Sequence, residues 1–168
     1  MKFVQIISGE SEFSLNLLRD NKNLNTHELF FHILPNGFRD LERKRVSRKV
    51  KEKEFYAITI GTHKYKQISL AFHVFQLLQK KNPKLRKFII IGNKKEVPSK
   101  VLKSQSVEVD PCNNREKLIQ FLSNAEYYIS ASQIENSSIA TLEGLILSKI
   151  VVLSDIPPHH EMLKNYNF

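Results

Sequence analysis

From residue 55 onward the chain alternates between short apolar runs and longer segments with helical periodicity, and this alternation leaves few folds open. FYAITIG (55–61) and KFIIIGN (87–93) lack polar alternation, so each reads as a strand buried on both faces. Between them, residues 66–81 place Ile68, Ala71, Val74, Phe75 and Leu78 on one helical stripe, and Asn82-Pro83 stops it. A weaker helix over 95–103 follows, then a strand SVEV (106–109) closed by Asp110-Pro111. Residues 114–123 make a helix with Leu118, Phe121 and Leu122 inward. EYYIS (126–130) is a fourth strand and IVVLS (150–154) a fifth, ahead of Pro157-Pro158 and a short helix or tail. Strands separated by helices need crossovers, so they pair in parallel with right-handed connections. The expected fold class is α/β: an open, doubly wound, Rossmann-like parallel sheet in a three-layer α/β/α arrangement. Ligands in such sheets bind beyond the carboxyl ends of the strands, where Gly61, Gly92 and the loop from Ser130 to Glu135 gather.

The first 54 residues read differently. KFVQIIS, residues 11–19 and HELFFHIL suggest strand, helix, strand; PNGF (35–38) is a turn; residues 39–54 form a charged linker helix. The expected division is a partial N-terminal unit over 1–54 and a ligand-binding unit over 55–168, together one compact body.

Several chemistries lose their usual support. There is no Gly-x-Gly-x-x-Gly, no P-loop, no His-Glu-x-x-His and no Gly-x-Ser-x-Gly. In PPHHE (157–161) the adjacent histidines project apart, so no metal site is expected. Cys112 is the sole cysteine, which excludes a disulfide framework. No apolar run reaches the ~20 residues of a membrane span, and MKFVQIISGESEF does not read as a signal peptide. A cytoplasmic setting is expected. The net charge of +9 admits anionic partners. The basic clusters at 43–53 and 79–95 lack the interleaved aromatics of a nucleic-acid surface, so nucleic acid is not the expected partner. An anionic membrane face suits them better.

The sharpest signal lies in IENSSIATLEGLILSK (134–149). Its helical stripe runs through Ile139, Leu142, Ile146 and Ile150, and Glu143 lies on that stripe. A carboxylate on the buried side needs a partner. A lysine beneath the helix is one answer; the vicinal hydroxyls of a ribose are another. Glu135 falls in the loop after the fourth strand, and Ser137 or Ser138 is the natural N-cap of the helix. Free backbone amides around Asn136, Ser137, Ser138 and Ile139 suit a phosphate. Lys66, in GTHKYK after the first strand, stands at the same edge, either as a surface lysine or as a point charge for a diphosphate.

The order of a strand ending in Gly61, then Lys66, IIIGN, YYISAS-x-x-E-x7-E and SKIVVLSDIPPHHE resembles the C-terminal, donor-binding domain of GT-B glycosyltransferases of the group 1 (family 4) clan, over about residues 55–161. The resemblance implies a Rossmann-like GT-B half that binds a nucleoside-diphosphate sugar. It implies Glu143 on the ribose, Glu135 as the catalytic residue that lies near the donor sugar and helps position it, and Lys66 on the diphosphate. Gly61, Thr62 and Asn136–Ile139 line the donor. Retaining transfer to a saccharide or lipid-linked acceptor follows, with no cofactor and no metal. Thr62 stands where the family often has arginine, with Lys64 the nearest cation. NSS follows Glu135 where an aromatic and a glycine are common. The family's enzymes have two such domains, so the resemblance also implies a missing N-terminal domain or a partner subunit. A non-catalytic nucleotide-binding module, a basic nucleic-acid binder and a nucleotide-sugar epimerase are the alternatives.

Overall fold

The computed structural model describes residues 6–20, 30–33 and 55–165; the PNGF turn and the charged 39–54 segment lie outside them. Two parallel sheets form. The smaller pairs β1 (Ile6–Gly9) with β2 (Phe30–Ile33), α1 (Glu12–Arg19) lying between them in sequence. The larger contains β3 (Phe55–Ile60), β4 (Leu85–Ile91), β5 (Val107–Asp110), β6 (Tyr127–Ser130) and β7 (Ile150–Leu153), in the order β5-β4-β3-β6-β7. All four pairings in it are parallel. The chain builds outward from β3 to β5, then returns to the other side of β3 with β6. The switch point therefore lies between β3 and β6, where a ligand crevice is expected.

Strand alternation sorts the core into two layers. Tyr56, Ile58, Ile89, Ile91 and Tyr128 face α4 (Arg115–Asn124) and α5 (Ile139–Leu147). Ala57, Phe88, Ile90 and Ile129 face α2 (Ile68–Lys81) and α3 (Ser99–Leu102). Both faces of the central strands are covered, as their continuous apolar runs require. Phe75 stacks on Phe88 with ring centres 5.2 Å apart. The last helix, α6 (Pro157–Asn165), starts on two prolines, which a first helical turn tolerates.

Four local expectations are corrected. The helix expected from residue 66 starts at Ile68, because Lys64–Lys66 winds a 3-10 turn and Gln67 adopts φ 51° between them. The weak helix at 95–103 is split by Pro98 into a 3-10 turn and α3. In α4 Leu122 is buried as expected, but the other deep side chain is Ile119, while Leu118 and Phe121 are half-buried. Ile139 and Ile150 do not belong to a buried stripe. Ile139 is 54% exposed at the start of α5, and Ile150 is 39% exposed on β7, the edge strand.

The small unit is tied to the large one through α6. Glu161 accepts hydrogen bonds from the backbone amides of Glu12 (2.7 Å) and Phe13 (3.2 Å), so a carboxylate on α6 caps α1. No helix among the described residues is long and apolar enough to cross a membrane.

Candidate functional site

At the switch point the loops after β3 and β6 are clipped together by a hydrogen bond from the Gln133 amide to the Tyr65 carbonyl, 2.8 Å. Gly61 ends β3 with φ +91°. A Cβ there would lie 3.1 Å from Lys66 Cε, so glycine lets the lysine stem cross over the strand end. Lys66 thereby reaches Glu135, and the two form an ion pair with both side chains largely buried. Ser132 Oγ donates to the same carboxylate oxygen, Oε1, at 2.7 Å. Ser154 Oγ holds the Ser132 carbonyl from β7's side at 2.6 Å.

Glu143 is 4% exposed, flanked on α5 by buried Leu142 and Gly144. A Cβ on Gly144 would lie 2.5 Å from the Tyr128 ring, so only glycine lets α5 come this close to β6. The partner of Glu143 is Arg115, with Nη1 2.6 Å from Oε1. The partner is an arginine from a neighbouring helix, not a lysine beneath α5. Arg115 opens α4 just after the N-cap Asn114, four residues before buried Ile119, so it continues the inward stripe of that helix. Arg115 shares a helix face with both Ile119 and Leu122, but a charged residue at a helix start reads as solvated, so the stripe alone did not single it out. Burial pushes the Tyr128 phenol far above its ordinary value, and the charges of Glu135 and Glu143 push the same way. One buried ring thus lies within electrostatic reach of both acids.

The helix start is as expected. Ser138 caps α5, its Oγ accepting from the Thr141 amide at 3.3 Å. The first amides, Ile139 and Ala140, have no intrahelical acceptor. Asn136 turns its side chain away from them: Oδ1 accepts from Ser11 Oγ (2.9 Å) and Nδ2 donates to Glu10 (3.0 Å). Thr62 is buried and engaged elsewhere, its Oγ1 donating to Glu96 (2.8 Å) and accepting from the Asn93 amide (3.1 Å). Lys64 lines a neighbouring hollow with Thr62, His63 and Glu96. A cleft of about 370 Å³ opens beside Glu135, between Tyr65, Asn136 and Ser137 on one side and Phe13 and Leu17 of α1 on the other.

His159, on α6, was not anticipated. It is 2% exposed; its Nδ1 lies 2.9 Å from the Ser154 carbonyl, to which it donates, and its Nε2 is buried without a partner. Burial holds it below the ordinary imidazole value, with Glu135 and Lys66 close enough to act on it in opposite directions. The two histidines of PPHHE separate as expected, His160 pairing with Asp155 instead. Among the described residues no three His, Cys, Asp or Glu side chains gather as a metal site.

The chain matches the family Glycosyl transferases group 1 over residues 40–167. No curated protein sequence gives a significant match. Among solved structures it is similar to the pneumococcal O-GlcNAc transferase GtfA in complex with UDP and GlcNAc (TM-score 0.68, 18% identity, covering 92% of this chain and 31% of that one). It is similar also to a mutant of S. aureus TarM in complex with fondaparinux, alpha-GlcNAc-glycerol and UDP (0.65, 20%, 89% and 30%). A third is the trehalose-6-phosphate synthase OtsA (0.68, 10%, 90% and 45%). The chain spans less than half the length of each of these structures.

Proposed function

Because the chain belongs to the group 1 glycosyl transferases and carries one Rossmann-like half of the GT-B fold, we propose that it is the donor-binding part of a retaining glycosyltransferase. Its ligand is a nucleoside-diphosphate sugar. The observation that carries this is a buried carboxylate, Glu143, on the helix that follows the loop holding the Lys66–Glu135 pair.

Each group then has a task. The two oxygens of Glu143 accept from the ribose hydroxyls. The amides of Ile139 and Ala140 meet the diphosphate. Lys66 keeps Glu135 and still has two N–H donors for a phosphate oxygen, since an ammonium carries three. Its charge acts where negative charge develops as the sugar–phosphate bond breaks and the electron pair leaves with the diphosphate. The reading gives this role to Lys66 and the amides, not to a metal ion. Glu135, fixed by Lys66 and Ser132, positions the donor sugar. A saccharide or lipid-linked acceptor enters through the cleft beside it, and its hydroxyl oxygen makes the new bond. Residues 55–168 are the donor-binding unit and residues 1–54 belong to the acceptor side. Full activity draws on a further domain or subunit, and the basic surface suits an anionic membrane face.

A second reading, a nucleotide-binding module without catalysis, is favoured by one observation: both acids already have cations. One experiment serves both. Melting temperatures are measured with UDP, GDP, ADP, dTDP and CMP, for the parent chain and for Glu143→Ala. One diphosphate at 100 times its Kd stabilises by about 2.7 kcal/mol, which raises Tm by roughly 5–10 °C in a chain of this size. The variant loses that rise. No response to any diphosphate, or an equal response in the variant, removes the donor site. Sugar transfer from the matching nucleotide sugar then separates enzyme from module.

A further inference from the structure

We propose that Arg115 is a gate on donor binding: its guanidinium occupies the place at Glu143 that a ribose diol must take. The inference rests on the ribose role given to Glu143 above.

The two partners differ sharply in freedom. The Glu143 side chain is 5% exposed and the Arg115 side chain 52%. Glu143 cannot leave, because α5 is locked by Leu142 and Leu147 in the core and by Gly144 against Tyr128. Arg115 is the first residue of α4, with half its side chain already in water, so the pair opens by the arginine turning outward. A buried carboxylate stripped of its partner is costly. Arg115 therefore yields only to a group that replaces its hydrogen bonds. A vicinal diol does so, with two donors for two carboxylate oxygens.

The consequence is a conformational cost on affinity. If the pair is closed most of the time, the binding-competent fraction is small, and the apparent Kd rises by the inverse of that fraction. An exposed ion pair is worth about a factor of five in such an equilibrium, and the burial of Glu143 makes that a lower bound here. Arg115 also selects. A ligand lacking one hydroxyl cannot satisfy both oxygens, and a site built for hydroxyl pairs rejects such analogues.

The test is calorimetric titration of the whole chain with UDP, GDP, ADP and 2′-deoxy-UDP. Variants are Arg115→Ala, Arg115→Lys, Glu143→Gln and the Arg115→Ala/Glu143→Gln double. Arg115→Ala is expected to tighten the binding ribonucleoside diphosphate about fivefold or more, with Arg115→Lys in between. The gain disappears in the double variant, and 2′-deoxy-UDP gains little. Weaker or unchanged binding in both arginine variants overturns the gate, provided Glu143→Gln weakens the parent: the ribose role then stands and Arg115 is a ligand or a bystander. If Glu143→Gln has no effect, or no nucleotide binds the parent, the donor reading falls and the gate with it.

Discussion

Two buried acids, Glu135 and Glu143, stand eight positions apart, and the molecule treats them in opposite ways. Glu135 sits in the loop after β6 with Lys66 as partner, and both side chains are nearly closed to water at 8% and 11% exposure. Ser132 adds a second hydrogen bond to it. Glu143 sits in the body of α5, equally buried, but its cation stands half in solvent. The first pair is a clamp across the switch point, joining the β3 loop to the β6 loop. The second is a contact between neighbouring helices in which one partner is free to move. What separates them is where each cation is rooted. Lys66 threads over Gly61 into the crevice, whereas Arg115 approaches from the start of α4.

The largest effect should therefore come from the clamp. Lys66→Met leaves Glu135 without its cation in a buried site, a loss that costs about 3–5 kcal/mol. The half-exposed pair should lose less: Arg115→Ala lets water in where the half-exposed guanidinium stood, so leaving Glu143 without its cation should cost about 1–3 kcal/mol. Urea unfolding monitored by circular dichroism gives both values. The double variant Lys66→Met/Glu135→Leu should recover most of the loss, because removing both charges removes the unpaired one. Equal costs for the Lys66 and Arg115 variants would break the distinction between clamp and gate.

A smaller effect tests the seat of Glu143 alone. Gly144→Ala puts a methyl 2.5 Å from the ring of Tyr128, which is 1% exposed and cannot retreat. Overpacking of this kind costs about 1–3 kcal/mol. It pushes α5 off β6 and carries Glu143 out of its place, while the Lys66–Glu135 clamp, held by loops, keeps its geometry. The expected pattern is a modest fall in urea midpoint together with loss of the nucleotide-induced melting shift. A variant that melts lower but keeps the full nucleotide response would show that Glu143 needs no such exact seat.

The same contrast marks how far the sequence could be read. The parallel sheet and its covering layers follow from continuous apolar runs separated by helices, whereas the strand order, and with it the switch point, is set by pairings far apart in sequence. Glu143 was legible because a charged residue fell on an apolar stripe, and Ser138 because an N-cap has a side-chain signature. The ion pairs were not legible. Lys66 and Glu135 are 69 residues apart, and nothing local says that Gly61 opens a path between them. Arg115 escaped because a cation at the start of α4 reads as solvated, and its partner lies on another helix. Ile139 was misjudged because periodicity does not mark where a helix projects past the sheet. Asn136 was singled out for its backbone amide, and the sequence says nothing of its side chain, which bonds Ser11 and Glu10 at the start of α1, partners that only the folded chain supplies.

The smallest effect probes the clamp side from beneath. His159 feels the charges of Glu135 and Lys66, and its Nε2 is buried without a partner. Its Nδ1–H donates to the Ser154 carbonyl, and its buried Nε2 has no acceptor among the described residues for a second proton, so the site favours the neutral ring. Burial is the largest influence and lowers its pKa below the ordinary 6.5. An unfolded chain therefore binds a proton at His159 at a higher pH than the folded chain does. The stabilising contribution is fully present above pH 6.5 and is lost as pH falls below it toward the folded value. Urea midpoints taken from pH 7.5 to pH 5 should decline, and His159→Gln should flatten that decline, whatever it does to stability at pH 7.5. Arg115→Ala should leave the decline alone, since Arg115 is not among the charges acting on His159. A decline unchanged in His159→Gln would mean that acid acts elsewhere. The clamp side would then be fixed by its ion pair alone, without a buried neutral ring beneath it.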